Sequence, residues 1–227
     1  MQGMAAASRS KLIIAGAAGA LVLAVALGWL WGVKKTHDLV SSARGSIAAT
    51  TARLQESLEL APDAPDALAR LERHAREVGQ YLAALRREDA KRNRPLAEAA
   101  ELYLVDAQAM LRNQTNAVRA RAAALASRRS LAAHMSHAAG RGQGWIQQAV
   151  ALKQRAERDN FDYRASIGAW AELLRVHRDT QDKVRAAFPA ARLLEDGVRD
   201  AGYQRAKEAD KQAGAELERI RQLVFAR

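Results

Sequence analysis

The chain has 227 residues, no cysteine, 4 prolines, and 36 Lys+Arg against 25 Asp+Glu, for a formal net charge of +11. That excludes a disulfide framework and a thiolate metal site, and it leaves too little proline and glycine for a loop-rich β-sandwich or a disordered chain. Much of the 49% hydrophobic content is alanine and only 5% of the chain is aromatic, so the composition predicts helical material with a thin core: alanine favours helix but buries little area.

After a short basic tail, residues 1–11, Leu12 to Val33 carries no charge. As helix this run spans about 33 Å, enough to cross ~30 Å of hydrocarbon. Arg9 and Lys11 flank one end, Lys34 and Lys35 the other, and Trp29 and Trp31 stand where an interfacial aromatic belt would lie. The competing reading is a cleaved signal peptide, since Ala24-Val25-Ala26 has the small-x-small form, but the apolar run continues through Trp31. We therefore expect a single-pass inner-membrane anchor. The flanking charges nearly cancel, so orientation rests on the commoner arrangement, a periplasmic body; a cytoplasmic body is the alternative.

Residues 34–61 read as a membrane-proximal helix, from Thr36 to Ala61, with Val40, Ala43, Ile47, Leu54 and Leu58 on one stripe. Residues 62–227 read as the bundle domain. Pro62-Asp63-Ala64-Pro65-Asp66 stops the first helix, and Asp63 is expected to cap the next, Ala64 to Arg92, whose Leu68, Leu71, Ala75, Val78, Leu82 and Leu85 step by three and four. Asn93-Arg94-Pro95 opens a third helix to Ala139, with Leu96, Ala100, Tyr103, Ala107, Met110, Gln114, Val118, Leu125 and Ala132 inward. Gly140-Arg141-Gly142-Gln143-Gly144 is the next turn. A fourth helix follows from Trp145 to Phe188, with a kink expected near Asp159-Asn160 and a seam of Ile167, Trp170, Leu174, His177, Gln181, Val184 and Phe188. Pro189 breaks it, and Ala190 to Arg227 forms the last, with Leu194, Val198, Ala201, Leu217, Ile220 and Val224 inward. No segment alternates with period two. The fold class expected is all-α: the transmembrane helix followed by an elongated up-and-down bundle of long antiparallel helices, with coiled-coil-like seams.

The charge pattern is the most informative feature. Between Asp106 and Glu157 there is no acid, while Arg112, Arg119, Arg121, Arg128, Arg129, Arg141, Lys153 and Arg155 lie there, around the glycine turn. With Trp145 as an aromatic anchor, these residues are candidates for docking an acidic partner or an anion, against the alternative of a plain solvated face. Lys34, Lys35, Arg86, Arg87, Lys91, Arg92 and Arg94 form a second group, expected near the membrane surface if the first two helices run out and back, where anionic headgroups are the natural partner.

His134 and His137, three apart, are weak candidates for half of a metal site, and His177 reads as a buried seam residue. The glycine loop lacks the preceding strand and the Lys-Ser/Thr of a phosphate loop. No nucleophile-base-acid order or paired-acid motif is present, so neither catalysis nor a cofactor is expected. Nucleic-acid binding fits the basic charge but finds no motif and one aromatic in the acid-free stretch. The function expected is a non-enzymatic adaptor, scaffold or accessory subunit of a membrane or envelope complex. A small-ligand or anion-binding, sensor-like module is the first alternative, and a tethered nucleic-acid or anionic-lipid binder the second. Homo-oligomerisation is compatible with seams this rich in alanine.

Overall fold

The computed structural model describes residues 34, 37–88, 91, 93–137 and 142–223. Among them are five helices and no strand: α1 over 37–59, α2 Ala67–Leu85, α3 Arg94–Ser136, α4 Gln143–Ala187 and α5 Asp196–Gln222. The proposed anchor at 12–33 lies outside the described residues, as do Lys35, Arg92, Arg141 and Val224. Among the described residues no helix is long and apolar enough to cross a membrane.

Each helix packs antiparallel to its successor. Gln108 of α3 donates to the Ala75 carbonyl of α2, and Arg86 at the end of α2 meets Glu101 near the start of α3. The α3–α4 pair is registered by Asp106 against His177 and by His134 against Trp145. The α4–α5 pair is registered by Gln181 with Arg199 and by Arg164 with Asp210. α1 runs alongside α3, with Thr51 on Tyr103 and the Gln114 amide on the Ser57 carbonyl. α1 thus packs into the bundle core. Leu39, Ala43, Ile47, Leu54 and Leu58 pack with Leu71, Val78 and Leu82 of α2 and with Leu96, Tyr103, Leu104 and Met110 of α3.

The α1–α2 hairpin is short and α3 and α4 are long, at 43 and 45 residues. The hairpin turn reaches only the level of Arg121. Beyond it α3, α4 and α5 continue as a three-helix arm, with Leu131, Ala156 and Ile220 buried together and Ala124, Ala149 and Ala213 filling the seam. The beginning of α1, the α2–α3 turn and the α4–α5 connection share the opposite end. Gln181 holds that connection through the Leu194 carbonyl at 2.7 Å, and Thr51 holds it through the Arg192 carbonyl at 3.0 Å.

Several expected boundaries are corrected. Asp63 does not cap α2; the helix starts at Ala67 after two consecutive tight turns, because Pro65 keeps Ala64 out of helical geometry, and Asp63 pairs with Arg121 instead. α2 ends at Leu85, its last inward apolar residue, rather than at Arg92. In α3 the buried row passes through Ala117, Ala124 and Leu131. Val118 and Leu125, expected inward, are half-buried over the hairpin turn, and Ala132 is exposed. The strict alternation of three and four steps persists there, and alanine allows the closer approach. Gln143 and Gly144 belong to the first turn of α4, not to the preceding loop. α4 runs through Asp159-Asn160 as uninterrupted helix, with the Asn160 amide donating to the Ala156 carbonyl within the same helix. Asp159 and its neighbours are therefore mid-helix residues. α5 begins at Asp196; its inward row is Arg199, Gly202, Ala206, Ala213, Leu217 and Ile220, while Val198 is half-buried and Ala201 exposed.

Candidate functional site

The acid-free stretch acquires its acids from other helices. Arg119 pairs with Glu72 of α2, Arg121 with Asp63 of the hairpin turn at 2.9 Å, and Arg128 with Glu216 of α5 at 3.6 Å. Lys153 reaches the Arg221 and Leu223 carbonyls at 2.8 and 2.7 Å, placing a cation on the negative end of α5. Arg155 pairs with Asp159 one turn on. Sequence distance hides such partners, so the surface is less basic than the linear pattern implies. Arg112 and Arg129 are exposed and form no ion pair among the described residues.

At the far end of the arm the His134 ring stacks on the Trp145 indole, centroids 4.9 Å apart, and its Nε2–H donates to the Trp145 carbonyl at 3.0 Å. His137 donates from Nδ1 to the Ala133 carbonyl at 2.7 Å. Both candidate metal ligands therefore spend a ring nitrogen on backbone. Trp145 is half-buried beneath His134. At the opposite end Arg86 pairs with Glu101 and Arg94 with Glu98, while Lys34, Arg87 and Lys91 are exposed. The α2–α3 turn does come back to the end at which α1 starts.

Polar side-chain pairs tie the helices at two places. The His177 imidazole is fully buried, donates from Nδ1 to Asp106 Oδ2 at 2.5 Å, and has no partner on Nε2 among the described residues. Enclosed and packed 5.2 Å from the Tyr103 ring, the pair holds α3 to α4. Between α1 and α2, Arg53 meets Glu77 at 2.6 Å and His74 meets Glu56 at 3.1 Å. Burial holds the His74 imidazole below its ordinary pKa, with Glu56 opposing and Arg53 reinforcing.

Sequence reasoning missed a cavity of about 310 Å³ at the waist, where the five-helix body gives way to the arm. Leu58, Leu71, Ile167, Trp170 and Tyr163 supply most of its wall, and Arg121 and Arg205 stand on it. It exists because the hairpin turn contributes short residues, Ala61, Pro62 and Ala67, opposite Ala117 and Ala209. Arg205 donates to the Leu58 carbonyl at 2.6 Å, closing the end of α1. The Trp170 indole N–H is buried without an acceptor. Burial pushes the Tyr163 hydroxyl to higher pKa, with Arg121 and Arg128 pulling it down and Asp63 adding to the rise. The only sequence signal for the cavity was the pairing of large aromatics with alanines on facing seams.

In comparison with known proteins, no family model, no curated protein and no solved structure matches this chain.

Proposed function

We propose that the chain is a non-enzymatic adaptor of a membrane complex, held by a single-pass helix at 12–33, with its body in the periplasm and the arm as the docking element. The observation that supports this reading is the arm's outer surface. Once the paired arginines are set aside, it offers the unpaired Arg129 together with Val150 and Phe161, which are 39% and 60% exposed. Those two lie eleven residues, close to three full turns, apart on one face of α4. An exposed phenylalanine on a chain with 3 in all suits an anchor for a partner, and an unpaired arginine at the same element suits the rim of such a contact. Arg128, by contrast, is a structural residue in this arrangement and not a docking one.

The test is photo-crosslinking from positions 129 and 161 of the full-length protein in intact cells. A common protein adduct at both sites, lost on Arg129→Glu with membrane residence unchanged, supports docking through the arm. No adduct from positions 129 and 161, with one from a probe at position 87 in the α2–α3 turn, would overturn it. A compartment-sensitive reporter at Arg227 tests the orientation.

A further inference from the structure

We propose that the waist cavity binds a small organic monocarboxylate with a compact ring-bearing apolar body. This goes beyond docking through the arm and stands independently of it. At ~30 Å³ per molecule, the space equals the share of about ten waters, yet Leu58, Leu60, Leu71, Val118 and Ile167 give water few partners. The polar groups on the wall are mainly donors. Trp170 Nε1–H is buried and has no acceptor, and no partner for the Tyr163 hydroxyl is found among the described residues. Arg205 and Arg121 each engage an acceptor, the Leu58 carbonyl and Asp63, and retain further N–H groups on the same planar fork. The amide nitrogen of Gln114 is committed to the Ser57 carbonyl. Glu59 is the single acid on the lining; it is exposed and receives the Gln55 amide at 3.1 Å. Donors therefore outnumber acceptors on the wall: against the Glu59 carboxylate, which holds Gln55, and the Gln114 side-chain oxygen stand two guanidinium groups, the Trp170 N–H and the Tyr163 hydroxyl, an imbalance that favours an anion. A carboxylate matches guanidinium geometry, whereas a phosphate dianion would need more donors than this apolar wall supplies. The remaining volume and the Tyr163 and Trp170 rings suit a bicyclic or similarly compact apolar body.

Calorimetric titration of the full-length protein in phosphatidylcholine nanodiscs with 2-naphthylacetate, and with its uncharged amide, tests the assignment. The acid is expected to bind at least about tenfold more tightly than the amide. Trp170→Phe, which removes one donor and keeps a smaller aromatic ring, should weaken the acid about tenfold and narrow its advantage over the amide. Ala209→Phe, which fills the space, should abolish binding while the cooperative thermal transition is retained. Equal affinity for acid and amide, undiminished binding in Ala209→Phe, or no binding of the acid at millimolar concentration would each overturn the proposal. Crosslinking from the arm reads out separately and is unaffected by any of these outcomes.

Discussion

Gly202 of α5 lies directly against Leu58 of α1: a Cβ placed on the glycine would stand 2.8 Å from Leu58 Cδ2. Leu58 is 3% exposed and packed in the main core, and the open space beside it is the waist cavity. This close approach lets the fifth helix seat on the first, just beside the waist cavity.

Two glycines inside helices are therefore expected to respond oppositely to alanine. At Gly168, where nothing lies within 4 Å, alanine should stabilise by roughly 0.5–1 kcal/mol through helix propensity. At Gly202 the same gain is outweighed by overpacking of about 1–3 kcal/mol, for a net loss near 1 kcal/mol. Urea denaturation of both variants checks the difference in sign, and Leu58→Val combined with Gly202→Ala should recover part of the loss.

His74 makes stability fall on mild acidification. Its pKa is lowered by folding, so the unfolded chain takes up the proton at higher pH than the folded one. The stability is fully present above the unfolded value, about 6.5, and is lost as pH falls through the folded value. Denaturation midpoints at pH 7.5 and 5.5 should differ in the wild type and differ less in His74→Gln. An equal drop in both would show that His74 is not the group responsible.

Tyr103 acts at the alkaline end. Burial pushes its hydroxyl up to about 12, against the pull of Thr51 and the Leu194 backbone. Because the folded value is the higher one, the contribution is complete below pH ~10 and disappears as pH rises toward the folded value. Thr51 has one proton and gives it to the Arg192 carbonyl, so Tyr103 is the donor in the 2.8 Å bond between them. Tyr103→Phe should cost about 1 kcal/mol at neutral pH and flatten the stability profile between pH 9 and 11.

Asp106 and His177 should behave as a unit. Asp106→Ala leaves a buried ring nitrogen unmatched and is expected to cost about 2 kcal/mol. Asp106→Leu combined with His177→Leu removes both polar partners and should recover most of that loss. A double variant as unstable as Asp106→Ala alone would show that the lost bond itself, and not the unmet donor, carries the effect.

Helix existence and order were legible because Pro62, Pro65, Pro95 and Pro189 punctuate long periodic runs, and α1 through α4 follow that punctuation closely. The row in α3 was misread beyond Gln114 because Val118 and Leu125 outweigh Ala117 and Ala124 on any hydrophobicity scale. In the folded chain the small residues win, since they let α4 approach. Arg199 was invisible for a related reason: an arginine reads as surface, yet here it is 4% exposed, with Gln181, Asp196 and Asp200 arranged around its guanidinium. The basic stretch was legible as charge along the chain but its counter-charges were not, because Glu72, Asp63 and Glu216 come from far along the chain. The cavity had no linear signature, being the space left where one hairpin stops short of two longer helices.

The alanine seam of the arm has a consequence for how the molecule opens. Leucine, isoleucine and tyrosine close the body, whereas Ala124, Ala149, Ala156 and Ala213 occupy much of the arm's interior. At ~25 cal/mol per Å² that interior contributes less free energy per turn, so amide protons in α3 and α4 beyond the waist are expected to exchange through local openings, and those beside Tyr103 and Leu174 only on global unfolding. The arm is thus a separate, weaker foldon, and a partner gripping it would raise its protection without changing that of the body.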